Sequence, residues 1–229
     1  MRTDEKEYSD YLEAKYLPGR SLYLRWIFYP KLFRAFQGPD TIVDLGCGTG
    51  EFLNNCRRRK REAIGIDSNE TLAHRCRAQG IKVENDSICE LHSLKGREFK
   101  YAVCDNVLEH LEVNQIRRFF ERVGALLAPR GTLICVVPGR MGFRKDPTHK
   151  TYVTGELLEH LLKASKLKIR HFYYHPFNLP GVDKYLYLNM QVFEIGHVAE
   201  SAAQVLGTAS NASVSQVERM AADSPTLAR

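Results

Sequence analysis

Long apolar runs are missing from this sequence of 229 residues, so no transmembrane helix is predicted. The first residues are mostly charged and include no apolar core segment, which argues against a secretory signal and favours a cytoplasmic protein. The six cysteines form no Cys-x-x-Cys pair, so no metal site is predicted. These thiols are expected to be reduced and mostly buried.

The charge of the chain is only mildly basic. Lys and Arg number 33 against 27 Asp and Glu, which gives a formal charge of +6. Such a charge suits an anionic partner without requiring nucleic acid. Hydrophobic residues make up 44% and charged residues 26%, which is typical of a globular chain with a full core.

Short apolar runs alternate with amphipathic segments from residue 41 onward. Strands are predicted at 41–45, 63–67, 81–83, 101–104, 132–137, 167–174 and 186–195, with helices between the earlier ones. This alternation predicts a mostly parallel α/β sheet. We expect a helical cap over residues 1–38, a main domain over 39–197 and a loosely ordered tail over 198–229. In the cap, Leu22, Trp26, Tyr29 and Phe33 recur at helical spacing and predict one amphipathic helix.

A Gly-x-Gly-x-Gly loop at 46–50 lies between the first strand and a helix. Glycines there let a ligand lie against backbone, and the helix start offers N–H groups. Asp67 ends the second strand seventeen residues after Gly50, where a carboxylate can accept both hydroxyls of a ribose. The third glycine comes one residue earlier than in dinucleotide sites. Asp44 adds negative charge, which favours a ligand with an ammonium and a sulfonium over a diphosphate.

Five segments, in this order, resemble the motifs of class I S-adenosylmethionine-dependent methyltransferases. They are residues 44–50, 65–68, 85–87, 107–111 and 126–133. The resemblance covers residues from about 40 to about 165 and implies methyl transfer from S-adenosyl-L-methionine with release of S-adenosyl-L-homocysteine. It also implies a Rossmann-like three-layer sandwich, in which a C-terminal antiparallel hairpin closes a seven-stranded, mostly parallel sheet.

The resemblance implies contacts between individual residues and the cofactor. Asp44 would lie near the amino end of its methionine part, and residues 105–107 near the sulfonium. Asp67 would accept the ribose hydroxyls, Asp86 would face the adenine amino group, and the Ser87 N–H would reach the ring. The full set is Asp44, Gly46, Cys47, Gly48, Thr49, Gly50, Asp67, Ser68, Asp86, Ser87, Asp105, Asn106 and Val107.

The segment after the fifth strand carries the candidate catalytic residues. Loops at the carboxyl ends of parallel strands hold the chemistry in open α/β folds. His149 is a candidate general base near neutral pH, and Asp146 could orient it. Both could instead stabilise the loop and cap the following helix. His110 is an alternative base, although a packing role is favoured for it.

The expected acceptor is an oxygen on a small metabolite, sugar or glycan precursor, and the expected assembly is a monomer or homodimer. One alternative is an RNA or protein methyltransferase, which the net charge and the basic run at 57–61 suggest. Against it, the sequence has no extra RNA-binding domain and no Asn-Pro-Pro-Tyr motif after the fourth strand. The other alternative is a catalytically silent chain that binds the cofactor and serves as a partner protein.

Overall fold

One sheet of seven strands runs through the part of the chain that the computed structural model describes, residues 7, 8, 10, 11 and 20–198. The strands are β1 (Ile42–Leu45), β2 (Ala63–Asp67), β3 (Val83–Asn85), β4 (Phe99–Asp105), β5 (Leu127–Val137), β6 (Leu167–His175) and β7 (Met190–His197). Their spatial order is β3-β2-β1-β4-β5-β7-β6. β1 to β5 pair in parallel, whereas β7 pairs antiparallel with both β5 and β6. This confirms the predicted fold.

Helices cover both faces of the sheet. They are α1 (Arg20–Tyr23), α2 (Tyr29–Leu32), α3 (Glu51–Arg58), α4 (Glu70–Ala78), α5 (Val113–Leu126), α6 (Arg140–Lys145) and α7 (Gly155–Leu162). A π-helical turn, Leu24–Phe28, joins α1 to α2, and a 3-10 turn at Leu108–His110 follows β4. Among the described residues, no helix is long and apolar enough to cross a bilayer.

The alternation of side chains along β5 divides the core into two layers. One layer holds the buried faces of α5 and α7, which pack on Leu133, Cys135 and Val137. The other layer holds α3 and the N-terminal helical segment, residues 20–35, which pack on Ile134 and Val136. The apolar face predicted for α5 is buried as expected. All six cysteines are free and buried, which confirms the prediction for the thiols.

The N-terminal helix is present and Tyr29 is buried as predicted, but the first half of the predicted buried face is wrong. Leu22 and Trp26 are 60% and 66% exposed, whereas Leu24, Phe28 and Leu32 are buried. The π-helical turn fits more residues into one turn than an α-helix does, so it shifts which side chains face the sheet. Most of residues 1–19 and the tail from 199 onward lie outside the described residues.

Two predicted strands are displaced along the chain. β3 begins at Val83, two residues later than predicted, and β7 begins at Met190 instead of residue 186. Leu186 and Leu188 supplied the apolar signal for the earlier start, but both are exposed and follow a 3-10 turn at Val182–Lys184. An alternating apolar pattern therefore overstated the length of this strand.

Candidate active site

The predicted cofactor residues meet at one edge of the sheet, where β1, β2 and β4 end. The N–H groups of Gly46 and Cys47 donate to the Ile66 carbonyl at 2.8 and 3.0 Å, which ties the glycine loop to β2. The N–H of Gly48 donates to Oδ2 of Asp67 at 2.7 Å. The loop and the acidic end of β2 are thus one connected structure.

The glycines of the loop are required for different reasons. Gly46 has φ +84°, and a Cβ there would lie 2.4 Å from Cγ2 of Val107. Gly48 has φ +51°, and a Cβ there would meet no atom within 4 Å. Gly46 therefore permits close packing on Val107, whereas Gly48 borders open space in which a ligand could lie against the backbone.

Asp67 is held by the backbone yet retains acceptor capacity. Its Oδ1 accepts the N–H of Asn69 at 2.8 Å, and its Oδ2 accepts that of Gly48. Burial raises the pKa of Asp67, and these two N–H groups partly oppose the rise. A carboxylate offers about four lone-pair sites, so two remain for hydroxyls. Ser68 is exposed beside it.

The predicted adenine-side residues form a closed turn after β3. Oδ1 of Asp86 accepts the Ser87 N–H at 2.7 Å, and Oδ2 accepts the N–H and hydroxyl of Ser93 at 2.7 and 2.9 Å. The Asp86 N–H donates to the Asp67 carbonyl at 3.1 Å, which places this turn next to the acidic end of β2. Because the Ser87 N–H is already donated to Asp86, its predicted contact with a base ring stays a prediction.

The end of β4 carries Asp105 and Asn106. Asn106 has φ +56°, and its side-chain amide donates to Oδ1 of Asp105 at 2.7 Å. The Tyr29 hydroxyl lies 3.4 Å from Oδ2 of Asp105. Burial and the charge of Asp105 raise the pKa of Tyr23 to about 12. The N-terminal helical segment therefore brings two tyrosines to the acidic end of β4, and neither was predicted as a site residue.

Asp44 is the most deeply buried acid beside the loop. Burial raises its pKa well above the ordinary range, and the charges of Asp105 and Asp67 raise it further. Three carboxyl groups thus lie at or near the carboxyl ends of the adjacent parallel strands β2, β1 and β4. A ligand that brings positive charge relieves their repulsion, whereas a diphosphate would increase it.

A second cluster combines the turn after β4 with the segment after α6. Nε2 of His149 lies 3.6 Å from Oδ2 of Asp146 and 3.9 Å from Oε1 of Glu109. The rings of His110 and His149 pack edge to face with centroids 4.9 Å apart. The structure therefore joins the three predicted catalytic residues. Glu109 was not predicted as a site residue, although a carboxyl next to His110 in an otherwise apolar turn is a signal for one.

Backbone hydrogen bonds fasten these two segments together. The N–H groups of Lys150 and Thr151 donate to the Glu109 carbonyl at 2.7 and 3.1 Å. Oδ1 of Asp146 accepts both the N–H and the hydroxyl of Thr148, so this oxygen stabilises its own loop. The alternative capping role is wrong, because Thr154 caps α7 by accepting the Leu157 N–H.

Comparison with known proteins agrees with this geometry. A family model described as a methyltransferase domain matches residues 20–172, which is more than half of the chain. The chain belongs to the class I S-adenosylmethionine-dependent methyltransferase family. A Geobacillus sp. (strain WCH70) protein that is named as a methyltransferase is 28% identical over 104 residues. That match spans 43% of this chain and only 42% of the relative's length.

Solved structures of S-adenosylmethionine-dependent methyltransferases share the fold. An S-adenosylmethionine-dependent methyltransferase from Archaeoglobus fulgidus is 19% identical, with a TM-score of 0.66 over 81% of this chain and 98% of that chain. Magnesium protoporphyrin IX methyltransferase from Synechocystis PCC 6803, solved with bound S-adenosylmethionine, is 10% identical. Its TM-score is 0.62 over 86% of this chain and 93% of that chain.

The surroundings of Gly46 and Gly48 predict different losses of folding stability when each is replaced by alanine. Gly46→Ala would combine left-handed strain with a clash against Val107, so we expect the free energy of unfolding to fall by about 2–4 kcal/mol. Gly48→Ala carries the strain alone and should lose about 1 kcal/mol. Urea unfolding of both variants measures the difference, and equal losses would contradict the packing role of Gly46.

The raised pKa of Asp44 predicts a pH-dependent gain in stability on its replacement. A raised folded-state pKa gives stability that is fully present below the unfolded pKa, about 4, and is lost as pH rises through the folded pKa. Asp44→Asn cannot ionise, so its free energy of unfolding at pH 7 should exceed that of the unchanged protein by about 1 kcal/mol or more.

Urea unfolding at pH 4 and pH 7 measures this gain for Asp44→Asn. The gain should shrink toward pH 4, because the unfolded carboxyl of the unchanged protein is then about half protonated, while the folded carboxyl stays protonated. Glu84→Gln, which replaces an exposed carboxyl on β3, is the matched control and should show no such gain. An Asp44→Asn variant that is equally destabilised at both pH values would contradict the explanation.

Proposed function

We propose that the chain transfers a methyl group from S-adenosyl-L-methionine to a hydroxyl of a small metabolite, sugar or glycan precursor. The observation that carries the proposal is the group of three acids, Asp44, Asp67 and Asp105, around a glycine loop with open space at Gly48. This arrangement suits a nucleoside that carries positive charge, and S-adenosyl-L-methionine is such a ligand.

Each part of the cofactor has a proposed partner in this geometry. Asp44 would attract the ammonium, and the two remaining acceptor sites of Asp67 would take the ribose hydroxyls. The turn of Asp86 and Ser87 would border the adenine. Cys47 would contribute only its backbone, because its Sγ packs against Gly65, where an added Cβ would lie 2.6 Å away.

The reaction places modest chemical demands on the protein. When bound, S-adenosyl-L-methionine supplies a methyl group whose bond to sulfur breaks as the bond to the acceptor oxygen forms. The residues of the chain must align the oxygen with that methyl group and exclude water. Val107 packs on Gly46, and Glu109 and His110 follow it in the same turn, so the second cluster continues directly from the cofactor loop.

The second cluster suits a hydroxyl acceptor because it offers a ring nitrogen and carboxylate oxygens. Nδ1 of His149 lies 3.0 Å from the Phe143 carbonyl, which can only accept, so Nδ1 carries the hydrogen. In the neutral ring, the lone pair of Nε2 then faces Asp146 and Glu109. We therefore place hydroxyl activation at this cluster, while a role for His149 alone as general base stays a prediction.

Loss of Asp67 should weaken cofactor binding specifically. Asp67→Ala removes the acceptor of the ribose hydroxyls, so we expect its affinity for S-adenosyl-L-homocysteine to fall by about 1–3 kcal/mol. Titration calorimetry measures this loss. Asp40→Asn is the control, because that half-exposed carboxyl pairs with Lys100 at 3.1 Å away from the loop.

The calorimetry also tests the cofactor assignment as a whole. An Asp67→Ala variant that is folded and binds S-adenosyl-L-homocysteine as the unchanged protein does would exclude Asp67 from the site. Failure of the unchanged protein to bind S-adenosyl-L-homocysteine at all would overturn the proposed function.

Loss of His149 should affect turnover and leave cofactor binding intact. If its imidazole acts on the hydroxyl, His149→Ala should lower turnover by about a hundredfold or more. Turnover is measured with labelled S-adenosyl-L-methionine on a panel of sugars and small hydroxyl compounds. His160→Ala, which removes an exposed imidazole on α7, is the matched control.

These measurements distinguish three hypotheses for the site: a catalytic His149, a structural His149 and a catalytically silent chain. A parallel loss of S-adenosyl-L-homocysteine affinity in His149→Ala would indicate a structural role for His149. Cofactor binding by the unchanged protein without turnover on the panel, or on RNA and protein acceptors, would favour the catalytically silent alternative.

A further inference from the structure

We propose that Glu109, His110 and His149 bind a divalent transition-metal cation next to the acceptor. One ligand atom from each residue can be chosen so that all lie within 4.8 Å of one another. Two ligands about 2.1 Å from a shared ion are separated by about 3.0–4.2 Å, depending on the angle. The three side chains are therefore within about 1 Å of ligand spacing. The sequence predicted no metal because these ligands come from two distant segments.

The hydrogen bonds of the two histidines fix the same ring tautomer. Nδ1 of His149 lies 3.0 Å from the Phe143 carbonyl, and Nδ1 of His110 lies 3.3 Å from the Thr148 carbonyl. Carbonyl oxygens only accept hydrogen bonds, so both Nδ1 atoms carry hydrogen, and in the neutral rings both Nε2 atoms carry the lone pair. Histidines that bind metals are held in this way, with the second ring nitrogen donating to a carbonyl or carboxylate.

The hydroxyl of Thr148 supports the tautomer of His110. Its Oγ1 donates to Oδ1 of Asp146 at 2.6 Å and lies 3.1 Å from Nδ1 of His110. Because the hydroxyl hydrogen is directed to Asp146, Oγ1 can only accept from His110. Two acceptors therefore face Nδ1, so Nε2 of His110, which lies 3.4 Å from the Tyr8 hydroxyl, is the nitrogen that would bind an ion.

Buried negative charge favours a cation at this position. The side chains of Glu109 and Asp146 are 1% and 4% exposed, and both carboxylates face Nε2 of His149 at 3.9 and 3.6 Å. These distances are too long for hydrogen bonds and suit groups that share an ion. A cation offsets the cost of burying two acids so close together.

The ligand types narrow the identity of the cation. Two imidazoles and one carboxylate suit zinc and neighbouring transition metals, whereas magnesium and calcium prefer sites made of oxygen ligands. Three protein ligands leave at least one coordination position open, as in catalytic sites. Oδ2 of Asp146 lies 3.6 Å from Nε2 of His149, close enough to accept a proton from a ligand of the ion.

The cation would deepen the proposed function, and this part of the inference rests on that function. A hydroxyl bound at the open position has a lowered pKa. Its proton passes to the carboxylate of Asp146, the bond from oxygen to the methyl carbon forms, and the bond from that carbon to sulfur breaks. The lone pair of His149 then serves as a metal ligand that positions the acceptor.

Titration of the metal-free protein with zinc tests the site without any assay of activity. After treatment with a chelator, the full chain should bind one equivalent of Zn²⁺ in calorimetry, and Co²⁺ should give visible absorption bands at the same stoichiometry. Glu109→Gln and His149→Ala should each weaken binding of Zn²⁺ by about a hundredfold. His160→Ala should bind Zn²⁺ as the unchanged protein does.

Affinity for S-adenosyl-L-homocysteine serves as the folding control for these variants, because their cofactor residues are intact. The proposal is overturned if the unchanged protein binds no stoichiometric Zn²⁺, or if the folded Glu109→Gln and His149→Ala variants bind it equally well. Zinc binding without methyl transfer would support the metal site and contradict the proposed function. Full turnover in the presence of the chelator would overturn the role of the cation in the reaction.

Discussion

Repulsion between buried acids at the carboxyl ends of the parallel strands is the constraint on which the site depends. Asp44, Asp67 and Asp105 lie where three adjacent strands end, and burial adds to the cost of ionising Asp44 and Asp67. The backbone N–H groups of Gly48 and Asn69 offset part of this cost at Asp67. The fold thus retains an unfavourable charge distribution that a ligand with positive charge would relieve, as proposed for the cofactor.

The second cluster, which is proposed to bind the methyl acceptor, also holds buried acids close together. Its acids, Glu109 and Asp146, lie on separate segments that backbone hydrogen bonds to the Glu109 carbonyl hold together. The main chain of Glu109 therefore builds the site while its side chain faces His149. Because one residue has both roles, its replacement by Gln tests the charge and keeps the backbone bonds.

The fold was predictable where local signals are strong. The first strand, the glycine loop and Asp67 follow from apolar runs and glycine spacing, and the burial of α5 follows from its helical period. The register of the N-terminal helix was not predictable, because nothing in the sequence indicates the π-helical turn at Leu24–Phe28. Glu109 was missed because its closeness to His149 arises from tertiary packing of segments about forty residues apart.

Tyr8 interacts electrostatically with both groups of acids in the site, the one at the strand ends and the one in the second cluster. Burial is the main cause of its raised pKa, and the charges of Glu109, Asp146 and Asp67 raise it further, so its hydroxyl lies within the field of both groups. That hydroxyl is 3.4 Å from Nε2 of His110, one of the proposed ligand atoms. A cation bound to Nε2 of His110 would compete with the Tyr8 hydroxyl for that nitrogen. Its positive charge would also make the electrostatic potential at Tyr8 and Asp67 less negative. Because Asp67 is proposed to hold the ribose, occupation of the acceptor side would then alter the electrostatic environment of the cofactor.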